Sequence, residues 1–276
     1  MSVLVFIEHK GGVLNKTSLE AIAAAQKLGT DFGQGVSAVV FGSSSLAQEI
    51  TAYEVEKVIS AENDQLADYT PDAYAAALEQ VIRSANPQYV TMSHTYLARD
   101  FAPKVAARFG KGLIGDCIRM NVDGGKATFT RRIFLGKLDA DVVSDGEAPT
   151  FVTFQSGAFR GDQAAKGSGA PVETMAVEIG EVRMKPEAPF QEAKQAVDLS
   201  KADIIVAVGR GIKSKDNLAL AENWRKRWVV IWRPHVRSVT LNGCRLIGRL
   251  DLRAKLLPQS FMLPLVFPAQ FSISSA

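Results

Sequence analysis

Cysteine is nearly absent. Cys117 and Cys244 are the two in 276 residues, and their contexts are unrelated, so no disulfide framework holds this fold and a reducing, cytoplasmic setting is expected. Long apolar runs are absent too, and nothing approaches the ~18 residues a membrane helix needs. Ser2 to Glu8 reads as a strand with no cationic leader or small-residue cleavage site, so no signal peptide is expected. The three histidines, His9, His94 and His235, lie far apart at no metal-ligand spacing, and structural roles are expected for each. Ser156-Gly157 lacks a G-x-S-x-G elbow. Cys117, in a mixed apolar stretch, reads as an inert core thiol. Asp139 and Asp141 would share one side of a strand, and a solvated face outweighs acid–base work there. No base–nucleophile pair, repeat or low-complexity tract is found.

What is present is an alternation of strands and helices. Val3 to Ile7 reads as a buried strand. Thr17 to Glu20, T-x-x-E, fits a capping box opening a helix that Gly29 ends. Val36 to Phe41 is the next strand, followed by a helix over Leu46 to Tyr53 and a short strand from Lys57 to Ser60. Thr70-Pro71 is an N-cap with Pro at the first helical position, and that helix stops before Asn86-Pro87. Tyr89 to Met92 is a strand and Arg99 to Phe109 a helix. This rhythm predicts an α/β fold, a parallel sheet with helices on both faces. Lys126 to Ile133, Asp139 to Val143 and Thr150 to Phe154 are β-rich between Gly-containing turns, which predicts an antiparallel extension. Val172 to Val182 contains a further strand. Two prolines and many charges mark Lys185 to Asp198 as a linker, which divides the chain into an N-terminal domain over 1–184 and a second domain over 199–276.

The second domain opens with A-D-I-I-V-A-V-G-R-G, Ala202 to Gly211. Ile204 to Val208 is a short β-branched run of the kind buried in parallel sheets. Gly209-Arg210-Gly211 follows at once. Such a strand end either simply turns the chain or exposes backbone N–H groups to a phosphate, and Arg210 adds a fixed cation where open α/β sheets bind ligands. Beyond this the composition changes. Asn223 to Ala276 holds nine Lys/Arg against one Asp, whereas the preceding 222 residues carry 23 basic and 28 acidic groups. All three tryptophans, Trp224, Trp228 and Trp232, fall in this tail. Its arginines follow no period and four prolines interrupt it, so nucleic-acid binding is not expected. Phe261 to Phe267 is apolar and uncharged, and the tail is expected to be poorly ordered.

Three stretches resemble the electron-transfer flavoprotein α-subunit family. Arg99-Asp100-Phe101-Ala102-Pro103 with Val105-Ala106-Ala107 is similar to that family's R-D-x-A-P helix. Arg132 to Gly136 followed by Phe154 to Phe159, F-Q-S-G-A-F, resembles its β-rich segment ending R-P-G-A-F, with Gln155-Ser156 in place of Arg-Pro. Ala202 to Gly211, with Ser214 and the helix start Asn217 to Glu222, resembles the opening of its flavin domain. The resemblance covers about residues 1–222, so 199–223 is the family-like part of the second domain. It implies a heterodimer with a β-subunit that carries AMP, and FAD held by the α-subunit, here toward Gly209, Arg210, Gly211 and Ser214. It further implies electrons passing from acyl-CoA and related dehydrogenases to a membrane quinone oxidoreductase. Arg210 is then expected near the isoalloxazine ring, a cation facing the charge of reduced flavin.

The resemblance stops at Asn223. The family's Q-V-G-x-T/S-G segment and its G-I-S-G-A-I-Q-H flavin motif are missing. Yet codons permitted for Val239 to Asp251, read with the third base of each joined to the first two of the next, also permit D-A-E-W-L-P-A-D-R-Q-V-G. Gln259 to Ile273 likewise permits K-L-Y-V-A-F-G-I-S-G-A-I-Q-H. Residues 224–276 therefore read as a frame-shifted flavin domain, and defective flavin binding is expected. A flavin-free dimerisation or nucleotide-binding module, and a nucleotide-dependent hydrolase, are the alternative readings.

Overall fold

The computed structural model describes residues 2–144 and 146–187, the backbone of 204–208 and 236–240, and Asn217, Ala219 and Asn223. The chain divides into two units, Met1–Glu187 and Ala188–Ala276.

The first unit is built on β1 (Ser2–Phe6), β4 (Gly35–Phe41), β5 (Lys57–Glu62), β6 (Tyr89–Ser93), β10 (Thr150–Phe154) and β7 (Leu113–Asp123), with β8 (Lys126–Ile133), β9 (Leu138–Val143) and β11 (Val172–Ala176) completing one nine-stranded sheet. Its order is β11-β5-β4-β1-β6-β10-β7-β8-β9. Seven strands run parallel from β11 to β7, and β8 and β9 are antiparallel. The fold is thus α/β with an antiparallel extension, as the residues predict. A small hairpin, β2 (His9–Lys10) and β3 (Val13–Leu14), follows β1.

Both faces of the parallel part are covered. Val3, Val5 and Ile7 of the first strand and its exit pack with α1 (Lys16–Phe32) and α2 (Ser44–Ile50) on one side. Leu4 and Phe6 pack with α3 (Pro71–Ala85) and α4 (Tyr96–Arg108) on the other. This alternation is the side-chain period of a strand buried on both faces. The second layer centres on Phe6, Phe41, Tyr74 and Phe101, whose rings meet edge to face at 5.1–6.2 Å. Burial, with Glu8 and Asp68 nearby, pushes the Tyr74 phenol up to about 12.

Local chemistry sets the helix ends, with corrections. Thr70 caps α3 by accepting from Ala73 N–H at 3.3 Å, with Pro71 at the first position, as expected. For α1 the cap is Asn15, not Thr17, and the helix continues past Gly29 to Gly33, which adopts the left-handed conformation at φ 62°. Gly29 is instead a contact glycine, because a Cβ there would lie 2.7 Å from the Gln34 carbonyl oxygen and 2.9 Å from Val36. Glu20 does not close a capping box. Its carboxylate accepts from Gly157 N–H at 2.7 Å.

Thr150–Phe154, expected in the antiparallel extension, returns to the body and inserts parallel between β6 and β7. All five of its residues are buried, so a strand of Thr and apolar side chains is used where both faces need filling. The extension is therefore the arm β7-β8-β9. Gly124 and Gly125, at φ 55° and 76°, make the two-residue turn joining β7 to β8. At the other end Phe134, Leu135 and Gly136 all have positive φ, and Leu135 is 91% exposed.

In the second unit the strand expected at Ile204–Val208 is present as β12. It pairs parallel with β13 (Val236–Thr240), from Ile204↔Val236 to Val208↔Thr240. A segment of the tail expected to lack order thus forms an extended pair, in keeping with the β-branched residues of V-R-S-V-T.

Candidate functional site

The turn expected to meet a flavin, Gly209, Arg210, Gly211 and Ser214, lies outside the described residues, as do the later flavin segments. The strand leading into that turn, β12, is in place. The described residues converge elsewhere, at the carboxyl ends of β1, β6 and β10. Strand order changes direction between β1 and β6, and open α/β sheets form their ligand crevices at such a switch point.

The β1 side of this crevice is closed by Glu8. Its carboxylate accepts from Asn15 Nδ2 at 2.7 Å and from Thr95 Oγ1. Asn15 and Thr95 are the N-caps of α1 and α4, so one carboxylate sits at two helix N-termini, where negative charge is favoured. Ser18 Oγ accepts from Glu8 N–H at 2.9 Å and donates to the Glu8 carbonyl at 3.0 Å. His9 is tied down next to it, its Nδ1 accepting from Gly12 N–H at 3.2 Å and its Nε2 lying 2.6 Å from the Phe41 carbonyl oxygen. Both ring nitrogens are satisfied, the structural role expected of it.

The β6–β10 side is more open chemically. Between Val152↔Ile114 and Phe154↔Cys117 the pairing slips, so Gly115 and Asp116 of β7 oppose Thr153 alone. This is a bulge, a device that re-aims a side chain. Asp116 takes φ 61° there, and its N–H donates to Thr153 Oγ1 at 3.1 Å. Thr153 Oγ1 also lies 2.8 Å from His94 Nδ1. Thr153 is buried and its hydroxyl has no other acceptor among the described residues, so the hydroxyl donates to Nδ1, which places the imidazole proton on Nε2. That Nε2 faces Asp116 Oδ1 at 3.9 Å, and Gln155 Nε2 donates to the same oxygen at 3.1 Å. Burial lowers the His94 pKa from its ordinary value; Asp116 works against that shift, and Arg99 and Arg131 add to it. Cys117, next along, is buried, and its thiol is pushed up to about 12, chiefly by burial. It is the inert thiol expected.

Glu20 joins this region from α1. It is buried, and burial raises its pKa against the opposing pull of the Gly157 N–H and the Ser156 side chain. Its contact holds the F-Q-S-G-A-F turn onto α1. Asp116, Thr153, Arg131 and Glu20 were not picked out as a site from the sequence. The one signal in reach was Gly115-Asp116, a turn-forming pair inside a strand-like run. No group of acidic, His and Cys side chains able to hold a metal occurs among the described residues. None of their helices is long and apolar enough to cross a membrane. A cleft of about 260 Å³ between α3, α4 and Ile179–Arg183 is charged, but Lys104 pairs with Asp72 and Arg108 with Glu79 at 2.9 Å.

A parallel, doubly covered sheet with a crevice at its switch point and an antiparallel arm defines a doubly wound α/β unit. The profile of the family described as "Electron transfer flavoprotein domain" matches residues 3–179. The chain belongs to the electron transfer flavoprotein family, and is an α-subunit-like member of it. It is 36% identical over 216 residues to "Electron transfer flavoprotein subunit alpha" of Bacillus subtilis (strain 168), covering 78% of this chain and 66% of the relative. The subunit of the same name from Syntrophomonas wolfei is 34% identical over 221 residues, 79% of this chain and 68% of the relative. "Lactate dehydrogenase (NAD(+),ferredoxin) subunit LctC" of Acetobacterium woodii is 28% identical over 229 residues, 82% of this chain and 55% of that protein. The chain thus matches about two thirds of the length of its α-subunit relatives.

Proposed function

We propose that the chain is the α-subunit of an electron transfer flavoprotein, an electron carrier rather than a turnover enzyme. It works as a heterodimer with a β-subunit, between acyl-CoA or related dehydrogenases and a quinone oxidoreductase, in the cytoplasm. The observation that carries this reading is the family match over residues 3–179, continued by β12 into Gly209-Arg210-Gly211. FAD, when bound, supplies the redox chemistry. Arg210 supplies a fixed cation that favours reduced flavin, with Gly209, Gly211 and Ser214 beside it in the sequence. AMP belongs to the β-subunit. The N-terminal domain extends over 1–184, the linker over 185–198 and the flavin domain over 199–276.

In this chain the flavin hold is incomplete, because the residues after Asn223 carry neither of the family's later flavin segments. Each lost hydrogen bond to a charged group forfeits about 1.5–3 kcal/mol, so several together remove roughly 4–9 orders of magnitude in affinity. Co-purified with a β-subunit, the 276-residue chain is expected to be colourless, and restoring the reading frame after Asn223 to return the yellow flavin spectrum. A stoichiometric flavin absorbance from the chain as written overturns the defect.

A second reading, a flavin-free dimerisation module, is favoured by the arm. Phe134, Leu135 and Leu138 are 69%, 91% and 56% exposed beside β9, the edge strand among the described residues, an apolar display suited to a protein partner. Some relatives are named as parts of larger redox complexes, such as "Acryloyl-CoA reductase electron transfer subunit beta" of Anaerotignum propionicum.

A further inference from the structure

The geometry points to an oxyanion-binding subsite at the carboxyl end of β6, formed by the Arg131 guanidinium and the His94 Nε2–H with Arg99 at its rim, and taking phosphate or a phosphate-bearing small molecule. The first observation is an orphan. Arg131 stands opposite Cys117 across the β7–β8 ladder and is only half exposed. Its Nε is buried with no acceptor, and no carboxylate among the described residues lies in ion-pair range of its guanidinium. A buried donor on a cation without a partner is costly, and native structures seldom leave one without a use.

The second observation is the supply of donors. His94 carries its proton on Nε2, and the facing Asp116 oxygen is 3.9 Å away, beyond hydrogen-bond range. That oxygen is already engaged by Gln155. Among the described residues the imidazole N–H therefore has no hydrogen-bond acceptor, which leaves it for a ligand. The third is Arg99. It sits in the first turn of α4, where the helix dipole disfavours a cation, and among the described residues it makes no ion pair, only a stacking contact over the Tyr96 ring at 5.6 Å. A bound anion would give this arginine a partner, the α4 terminus itself being served by Glu8 and the Thr95 cap. Burial lowers the His94 pKa most, Asp116 opposes it, and the field of both arginines adds to the lowering. The place itself is the carboxyl end of parallel strands, beside a bulge that holds Asp116 in the left-handed region.

None of this depends on the flavin turn. The test uses the full-length chain, with inorganic phosphate as the probe at constant ionic strength. Calorimetric titration is expected to saturate with a Kd below about 10 mM, a modest affinity for a small ion. Arg131→Gln should weaken binding at least tenfold, while Arg119→Gln, whose side chain is paired with Asp139 on the arm, should leave it unchanged. In the unmodified chain, phosphate should raise the pKa of one histidine ring followed by NMR, a signal that His94→Gln removes. This second readout stands even if Arg131→Gln folds poorly. Absence of saturation, equal loss in Arg119→Gln, or a His94 signal indifferent to phosphate overturns the subsite.

Discussion

The parallel body and the antiparallel arm belong to one sheet and treat their side chains in opposite ways. Strands β1, β4, β6 and β10 hide both faces, and their residues are apolar or hydroxyl-bearing almost throughout. Strand β9 hides neither face fully, and β8 buries only Ala127, Phe129 and Thr130. The body is organised by volume, the arm by what it presents outward. Stability therefore resides in the first and the proposed docking surface in the second, and each can be attacked separately.

The largest effect is expected in the body. Phe101→Ala removes a fully buried ring from the Phe6–Phe41–Tyr74 cluster and should cost about 3–5 kcal/mol. The matching truncation in the arm, Leu135→Ala, should stay within about 0.5 kcal/mol. Urea midpoints of the two variants measure the contrast, and equal losses would erase it. Next in size is association. Leu135→Asp with Leu138→Asp should weaken β-subunit binding at least tenfold while leaving the unfolding midpoint in place. Co-elution on size exclusion reads this out; undiminished binding would move the docking surface elsewhere.

The smallest effect lies at the seam. The Glu20 pKa is raised above its ordinary 4.5. Between those values the folded chain binds more protons than the unfolded one, so this group's stabilising contribution is complete below 4.5 and fades as pH rises through the folded value. Glu20→Gln keeps an acceptor for Gly157 N–H and should flatten that part of the stability profile. Urea midpoints from pH 4 to 7 that change in parallel for both proteins would contradict it.

Much of the body could be read from sequence because its cues are local. Thr70-Pro71 acts within one helical turn, and the β-branched runs mark buried strands wherever they lie. What escaped was set by distant neighbours. Thr17 and Glu20 have capping-box spacing, but Gly157 outbid the helix for the carboxylate. Thr150–Phe154 has the composition of either kind of strand, and only its insertion between β6 and β7 decides which. The crevice cluster gathers His94, Asp116, Arg131 and Thr153 from four strands or strand ends, and no spacing rule links them. The proposed flavin turn, by contrast, rests on motif alone and lies outside the described residues.

The insertion of β10 also constrains the order of events during synthesis. Strands β6 and β7 are separated in the sheet by a strand that emerges after them and after the whole arm. Until Phe154 leaves the ribosome, β6 and β7 each keep an open edge in the centre of the sheet, with Phe151 and Val152 missing from the two core layers. Non-local pairing of this kind folds slowly, and unpaired edges invite association with other chains. Truncations before residue 150 should therefore aggregate. Interruptions at the Gly124-Gly125 turn should be better tolerated, since the later half still delivers its central strand.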